Sequence, residues 1–276
     1  EFHIQTMCAV FSVSRAGFYS WLKRPESRRK RKDRCLLELI KGSFNSSRAT
    51  YGYRRIYDDL REQNELYGKH RIARVMRANG ISPKPKRRYK VTTDSKHNKP
   101  IHANHLNRQF SAIAPNRRWT SDITYIDTNE GWLYLAVIMD LFSRKIVGWS
   151  KSNRLQEGLV IYAFGMAMKH RRITNGLLLH SDRGSQYAAN NFQRLLRSNG
   201  ITCSMSRKGN CWDNAAMESF FHSLKTECIY RKRCQTREEA KILVFDYIEV
   251  FYNRQRKHSF LGYKSPEQFE TLARQL

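Results

Sequence analysis

The chain has 276 residues, of which 40% are hydrophobic, so its length and composition favour a packed globular fold over a disordered polymer. Lys and Arg together number 51 against 24 Asp and Glu, which gives a formal net charge of +27. This excess excludes an ordinary small-metabolite enzyme as the first expectation. It favours a polyanionic partner, with nucleic acid ahead of an anionic membrane surface.

The sequence gives little support to a membrane, disulfide or zinc function. Its longest strongly apolar run, residues 132–139, is much shorter than the roughly 20 residues that a spanning helix needs. No charged-then-apolar signal segment opens the sequence. The six cysteines are scattered without a Cys-x-x-Cys pair, which is typical of reduced thiols in a cytosolic protein and predicts no zinc. Because the sequence begins at Glu1 rather than Met, we expect a trimmed product or part of a longer polypeptide.

The first part of the chain is the more basic, since residues 1–112 hold 26 of the Lys and Arg residues and 9 of the Asp and Glu residues. Residues 1–24 predict a short helix-turn-helix-like segment, with Ser14 as a helix cap. A plain helical hairpin without a DNA role is an equal alternative. We interpret the basic run at 25–34 as a linker that also contacts phosphate, although such runs are usually solvated.

A second helix-turn-helix-like DNA-binding module is predicted over residues 35–81. Arg71, Arg74 and Arg77 recur every three residues on its last helix, and the basic neighbourhood favours DNA contact over mere surface decoration. The prolines and basic residues of 82–112 predict a linker.

Three cations of this linker are candidates for contact with a DNA backbone or minor groove: Lys84, Arg87 and Arg88.

The sequence pattern changes after residue 113, where β-branched and aromatic runs predict a three-stranded meander followed by alternating helices and short strands. We predict strands at 118–127, 132–140, 145–150, 176–180 and 201–205, and helices at 155–170, 190–198 and 213–229. This order predicts an α/β fold over residues 113–235, with one mixed five-stranded sheet flanked by helices. Residues 236–276 predict a C-terminal helical segment that packs its aromatic residues into the core.

Three acidic residues lie where such a sheet would hold a ligand. Asp122 lies inside a predicted strand, where a carboxylate is costly unless it is paired or metal-bound. Asp182 ends the fourth strand, and open sheets place ligands at the carboxyl ends of strands. Glu218 lies on the long helix. Asp127 and Asp140 also end strands, and Asp140 is the main alternative to Asp122.

A site of three carboxylates suits Mg²⁺, which takes oxygen ligands and keeps positions for water and phosphate oxygens. Two such ions can clamp the attacking and leaving oxygens of an in-line displacement. His222 and Lys225 follow Glu218 by four and seven residues, so they share one side of its helix. Lys225 suits a phosphate, and His222 is equally a DNA contact or a surface residue. In the plain alternative, Asp182 only caps a turn and Glu218 is an exposed helical residue.

Three stretches carry a resemblance to a known family: Trp-Thr-Ser-Asp-Ile-Thr-Tyr at 119–125, His-Ser-Asp-Arg-Gly-Ser-Gln-Tyr at 180–187, and the run from 204 to 225 that contains Glu218. Further matches lie at 52–55 and 252–269. With these stretches the sequence resembles the second-reading-frame (OrfB) proteins of the insertion-sequence-three family of bacterial transposases, which have an integrase-type catalytic core.

The resemblance implies an RNase H-like fold with an Asp-Asp-Glu (DDE) triad at Asp122, Asp182 and Glu218 that holds two Mg²⁺ ions, for which Mn²⁺ can substitute. It implies a polynucleotidyl transferase that cuts one strand at an element end. The freed 3′-hydroxyl then attacks another phosphodiester, without a covalent enzyme intermediate. We also expect DNA contacts from Lys225, His222, Arg207 and Lys208.

The resemblance also implies partners and a location. We expect double-stranded DNA of element ends and target, further copies of the chain on that DNA, and a first-reading-frame product that is fused or associated. A bacterial cytoplasmic, nucleoid-associated protein is expected. Three alternatives stay open: a DNA-binding regulator without chemistry, a retroviral-type integrase, and an RNA-cutting nuclease on the same fold. The missing His-His-Cys-Cys module disfavours the integrase, and the basic helical modules favour duplex ends over RNA.

Overall fold

The computed structural model describes residues 3–83, 100–173, 176–208, 210–231 and 234–275. Its backbone divides into two compact units, Glu1–Pro83 and Lys84–Leu276. Among the described residues, no helix is long and apolar enough to cross a membrane.

The first unit is entirely helical. Its helices are α1 (Ile4–Val10), α2 (Arg15–Leu22), α3 (Arg28–Ser46), α4 (Tyr53–Glu62) and α5 (Lys69–Ala78). The predicted pair of short helices at 1–24 is confirmed, and the Ser14 hydroxyl accepts a hydrogen bond from the Gly17 amide. Helices α3, α4 and α5 enclose a small apolar core that includes Leu36, Ile56 and Ile72.

The interpretation of residues 25–34 as a linker was wrong, because α3 begins at Arg28. Ser27 caps this helix by accepting a hydrogen bond from the Lys30 amide at 3.2 Å. Lys and Arg are good helix formers, and no proline or glycine interrupts the run before Gly42. The basic residues therefore form the first turns of a 19-residue helix.

The second unit contains the predicted five-stranded sheet. The strands are β1 (Arg118–Ile126), β2 (Leu133–Asp140), β3 (Ile146–Ser152), β4 (Leu178–Ser181) and β5 (Thr202–Met205). They lie in the order β3-β2-β1-β4-β5, with β1, β2 and β3 antiparallel and β4 parallel to both β1 and β5. This mixed sheet is the predicted α/β architecture.

Helices cover both faces of the sheet and enclose two apolar cores. On one side lie α6 (Glu157–His170) and α7 (Asn190–Ser198), which pack around Trp119 and Phe192. The other side holds α8 (Ala215–Glu227), α9 (Arg237–Phe245) and a π-helical continuation, Asp246–Tyr252. The chain closes with α10 (Pro266–Ala273). Alternate side chains of β1 therefore face different helical layers.

The second half of the predicted linker is bound to the rest of the second unit. Leu106 is fully buried, and the amides of His105 and Leu106 donate to the Ser204 hydroxyl. Residues 84–99, which include Lys84, Arg87 and Arg88, lie outside the described residues.

A buried ion pair holds the end of α8 to the C-terminal segment. The Arg256 guanidinium donates to both carboxylate oxygens of Glu227, at 2.6 and 2.7 Å, and the Tyr247 hydroxyl donates to the same carboxylate. Because both charged side chains are almost fully enclosed, removal of either one would leave the other without its counter-charge inside the fold. Arg256 therefore has a structural role in this unit.

Gly148 of β3 allows α6 to approach the sheet closely. A Cβ atom at this position would overlap the Ala163 carbonyl oxygen and stand 2.8 Å from the Cβ of Ala167. We expect Gly148→Ala to destabilise the unit by about 1–3 kcal/mol, the usual cost of overpacking a core. Gly165 is the matched control, since nothing lies within 4 Å of its added Cβ on α6. Gly165→Ala should raise stability by up to about 1 kcal/mol. Urea unfolding measures both changes, and equal effects would contradict this packing.

Candidate active site

Strand pairing brings Asp122 and Asp182 to the same part of the sheet. In the parallel pair, Arg118 lies opposite Leu178 and Thr120 opposite His180. This register, continued by two residues, places Asp122 opposite Asp182, which directly follows β4. Because side chains alternate along a strand, both carboxylates point to the face that α8 covers.

A tight turn holds the Asp182 carboxylate. One of its oxygens accepts a hydrogen bond from the Gly184 amide at 2.9 Å. A Cβ atom at Gly184 would stand 3.0 Å from the same oxygen and 3.2 Å from the side-chain oxygen of Gln186. Glycine therefore leaves room for the carboxylate where β4 turns toward α7.

Glu218 comes to the site because the start of α8 is tied to β1. The Thr120 hydroxyl donates to the Asn214 side-chain oxygen at 2.6 Å, and the Asn214 side-chain nitrogen Nδ2 donates to the Ser121 backbone carbonyl at 3.4 Å. Met217 and Phe221 of α8 are buried, whereas Glu218 between them stays partly exposed. The helix thus turns its apolar side to the core and Glu218 toward the end of the sheet.

The three carboxylates act on one another electrostatically. Burial, and then the negative charges of Asp182 and Glu218, raise the pKa of Asp122 well above its ordinary value, while Lys225 opposes this shift. Burial also raises the pKa of Glu218 and lowers that of Lys225, on which Asp122 has the opposite effect. Three acids from distant parts of the sequence, together with Lys225 from the helix that carries Glu218, are therefore within electrostatic range of one another.

The donor set suits a divalent cation, although it is not a closed metal cage. Among the residues that the structure describes, no three His, Cys, Asp or Glu side chains are close enough to hold a metal ion. Like-charged carboxylates repel each other, and a cation that bound between them would relieve both the repulsion and the desolvation of Asp122. Carboxylate oxygens are also the ligands that Mg²⁺ prefers. The chemistry of the residues present therefore fits such an ion, which would have to draw the three carboxylates closer together.

Asp140, the main alternative to Asp122, serves the fold instead. It is fully buried at the end of β2, accepts hydrogen bonds from the amides of Asn116 and Phe142, and pairs with Arg171 at 2.8 Å. Asp127 is exposed just beyond β1.

The residues proposed as DNA contacts near the site differ in their surroundings. Lys225 and His222 lie half-buried on α8, along the same side as Glu218. Lys208 is exposed. Arg207 also reaches solvent, but its guanidinium is held by Asp213 at 2.6 Å. Arg207 therefore has a structural partner that the sequence interpretation did not foresee.

In the first unit, the three regularly spaced arginines of α5 also differ in whether they bind a carboxylate of the fold. Arg71 and Arg74 bind the two oxygens of Asp33 on α3, at 2.8 and 2.6 Å. Arg77 is exposed beyond them. The helical spacing was thus a correct guide to a shared side, but two of the three cations join α5 to α3.

Sequence reasoning missed three residues that support the site. Asp213 and Arg256 anchor the two ends of α8, and the buried Tyr187 hydroxyl lies 2.8 Å from the hydroxyl of Ser121, next to Asp122. An acid next to Asn214 or an arginine in a basic tail carries no signal in its spacing. Their partners become visible only when the chain is folded.

Fold and site together define an integrase-type catalytic core, which follows a helical DNA-binding unit in the sequence. Models of the integrase core domain match residues 112–211 and 218–273, and a model of an HTH-like domain matches residues 30–89. Asp122 and Asp182 lie in the first core match, and Glu218 opens the second.

Relatives of nearly the same length identify the family. The chain is 44% identical over 263 residues to the insertion element IS600 uncharacterized 31 kDa protein of Shigella sonnei, covering 95% of this chain and 97% of that protein. It is 41% identical over 273 residues to transposase InsF for insertion sequence IS3A of Escherichia coli strain K12, covering 98% and 94%. The chain belongs to the IS3 family of insertion-sequence transposases. Its integrase core implies DNA cleavage and strand transfer.

Solved structures with a similar chain path come from retroviral integrases. A simian T-cell lymphotropic virus intasome chain, solved with a PP2A regulatory subunit, gives a TM-score of 0.49 at 19% identity over 64% of this chain and 60% of that chain. The catalytic core domain of BIV integrase gives 0.44 at 19% identity over 58% and 97%.

The arginines of α5 give a test of the DNA-binding unit. Arg77→Ala should weaken binding to duplex element ends and lower the salt slope by about 1, because it removes one exposed cation. Arg74→Ala should instead lower the stability of the first unit by up to about 1 kcal/mol. The hydrogen bond from Arg74 lowers the pKa of Asp33, so this stabilisation is present at neutral pH and lost as pH falls through the lowered pKa. Fluorescence anisotropy across salt and urea unfolding at two pH values measure the effects. Equal salt slopes for wild type and Arg77→Ala would contradict a phosphate contact.

Proposed function

We propose that Asp122, Asp182 and Glu218 are the catalytic carboxylates of this transposase. The observation that carries the proposal is geometric: the β1–β4 register puts Asp122 opposite Asp182, and the Thr120–Asn214 hydrogen bond ties the start of the helix that bears Glu218 to β1. Burial and the charges of Asp182 and Glu218, which raise the pKa of Asp122, agree with it. Three mutually repelling acids cost electrostatic free energy, and clusters of this kind are typical of functional sites. The reaction that fits them is cleavage of one DNA strand at an element end and transfer of its 3′-hydroxyl to another phosphodiester.

The three carboxylates would hold Mg²⁺, with Mn²⁺ as a substitute, in a pair of sites. Bound divalent ions supply charge neutralisation and activation of the attacking oxygen in phosphoryl transfer. The chain's own residues set the geometry: strand register fixes Asp122 beside Asp182, and α8 carries Glu218 over them. Lys225, on the same side of α8, would bind a phosphate oxygen of the DNA strand.

The substrate is double-stranded DNA. The net charge of +27 favours a polyanion, and the HTH-like match lies upstream of the core. We further propose that several copies of the chain assemble on element ends and target DNA, that a first-reading-frame product is fused or associated, and that the protein works at the bacterial nucleoid.

Isosteric variants test the triad. Asp122→Asn, Asp182→Asn and Glu218→Gln should each lower strand cleavage and joining by on the order of a hundredfold or more, because each removes a preorganised charge from the reacting centre. Binding to the same DNA should persist, since the variants remove negative charge. Asp127→Asn is the control, because Asp127 is exposed beyond β1. Gel analysis of end-labelled element DNA with Mg²⁺ measures both steps, and normal joining by any triad variant would rule out its assignment.

A further inference from the structure

The start of α8 is fixed by a buried carboxylate outside the proposed triad. Asp213 lies in the 3₁₀ turn that precedes α8 and is completely buried. It accepts five hydrogen bonds. Arg207 donates three of them, from its backbone amide and Nε at 2.9 Å and from Nη2 at 2.6 Å; Arg108 Nε donates one at 3.0 Å, and Asn104 Nδ2 one at 2.9 Å. A carboxylate with this many donors stays ionised, and these hydrogen bonds keep its pKa far below the ordinary value.

The donors come from two separate parts of the chain. Arg207 directly follows the buried Ser206 at the end of β5, whereas Asn104 and Arg108 lie upstream of residue 112, where the integrase-core match begins. Asp213 therefore joins the segment 104–108, β5 and α8 at one point.

The segment 104–108 is itself firmly placed. Ser204 accepts hydrogen bonds from the amides of His105 and Leu106, and its hydroxyl also lies 2.9 Å from Nδ1 of His180. The other ring nitrogen of His180 lies 3.1 Å from the Ser206 hydroxyl. The buried His180 ring thus lies between two hydroxyls. His180 lies on β4, two residues before Asp182. The hydrogen-bond network that holds the segment 104–108 therefore also contacts the strand that Asp182 follows.

Helix geometry gives Asp213 influence over Glu218. Five residues separate them, which is little more than one turn and roughly 7 Å of helix rise. The far end of α8 is held independently by Glu227 and Arg256. Loss of the Asp213 contacts would leave the Asn214 hydrogen bonds to β1 to hold this end of the helix. A resulting tilt about the other end would displace Glu218 more than Lys225.

We propose that Asp213 is a positioning residue for Glu218, and that the segment Asn104–Arg108 belongs to the catalytic apparatus through its contacts with Asp213. The proposal rests on the proposed function of Glu218 as a metal-binding carboxylate. In this proposal Arg207 and Arg108 position α8 by holding Asp213. If these arginines served only to contact DNA phosphates, a change at Asp213 would not affect metal binding.

The test is Mn²⁺ binding to the full-length protein without DNA, measured by electron paramagnetic resonance. Asp213→Asn should weaken Mn²⁺ binding about tenfold, the scale on which supporting residues affect metal affinity. Arg108→Ala, which removes one of five hydrogen bonds from a half-exposed side chain, should weaken it about two- to threefold and keeps the test valid if Asp213→Asn does not fold. DNA affinity of Asp213→Asn should stay equal or rise, because a negative charge is lost.

Two further variants separate the possible failures. Ser143→Ala is the control for general destabilisation: it removes a buried hydrogen bond to Glu270 just after β2, and it should lower the melting temperature while leaving Mn²⁺ affinity unchanged. Glu218→Gln should weaken Mn²⁺ binding at least as much as Asp213→Asn. If Glu218→Gln has no effect, the proposed function fails. If Glu218→Gln weakens binding while folded Asp213→Asn and Arg108→Ala retain wild-type affinity, the positioning role is overturned and the proposed function stands.

Discussion

Mutual repulsion among three partly buried carboxylates is the constraint on which the catalytic unit depends. Asp122 is desolvated and faces the charges of Asp182 and Glu218, so the three side chains would separate if the backbone let them. The fold opposes this with strand register on one side and an anchored helix on the other. Parallel pairing of β1 with β4 aligns the two aspartates, and the contacts of Thr120 and Asp213 fix the start of α8. A site held in this way has its carboxylates positioned before a cation or a DNA strand arrives, and such preorganisation is the condition for electrostatic catalysis.

The positive charge of the protein has two separate uses. Many of its cations are exposed and available to a polyanion, as Arg77 and Lys208 are. Others are bound to acids inside the fold: Arg74 joins α5 to α3, Arg207 joins β5 to α8, and Arg256 joins α8 to the C-terminal segment. Removing Arg256 would leave the largely enclosed Glu227 carboxylate without its counter-charge, which is costly, whereas Asp33 and Asp213 would each keep another arginine. Net charge therefore predicts the class of ligand, whereas the structure decides which arginines are free to meet it.

Much of the fold could be predicted from the sequence because its elements carry strong local signals. Helix α5, with its alternating basic and apolar residues, lies at Lys69–Ala78 as the last helix of the predicted module 35–81, and α7 spans Asn190–Ser198 as predicted. The meander and the two short strands follow from β-branched and aromatic runs between turn residues. The start of α3 was missed because a basic run fits a linker and a helix equally well, and only the cap at Ser27 distinguishes them. The proposed triad followed from strand ends and the family's stretches. Its support by Asp213 and Tyr187 could not be predicted, because their partners lie up to 109 residues away.

The position at which a divalent cation binds is the central test of the proposed active site. The most direct measurement is an anomalous difference map from crystals of the protein soaked in MnCl₂, recorded at the manganese edge. We expect anomalous density between the carboxylates of Asp122, Asp182 and Glu218, at distances that oxygen ligation of Mn²⁺ allows. Strong density bound by a different set of oxygens, with these three side chains turned away from it, would contradict this expectation.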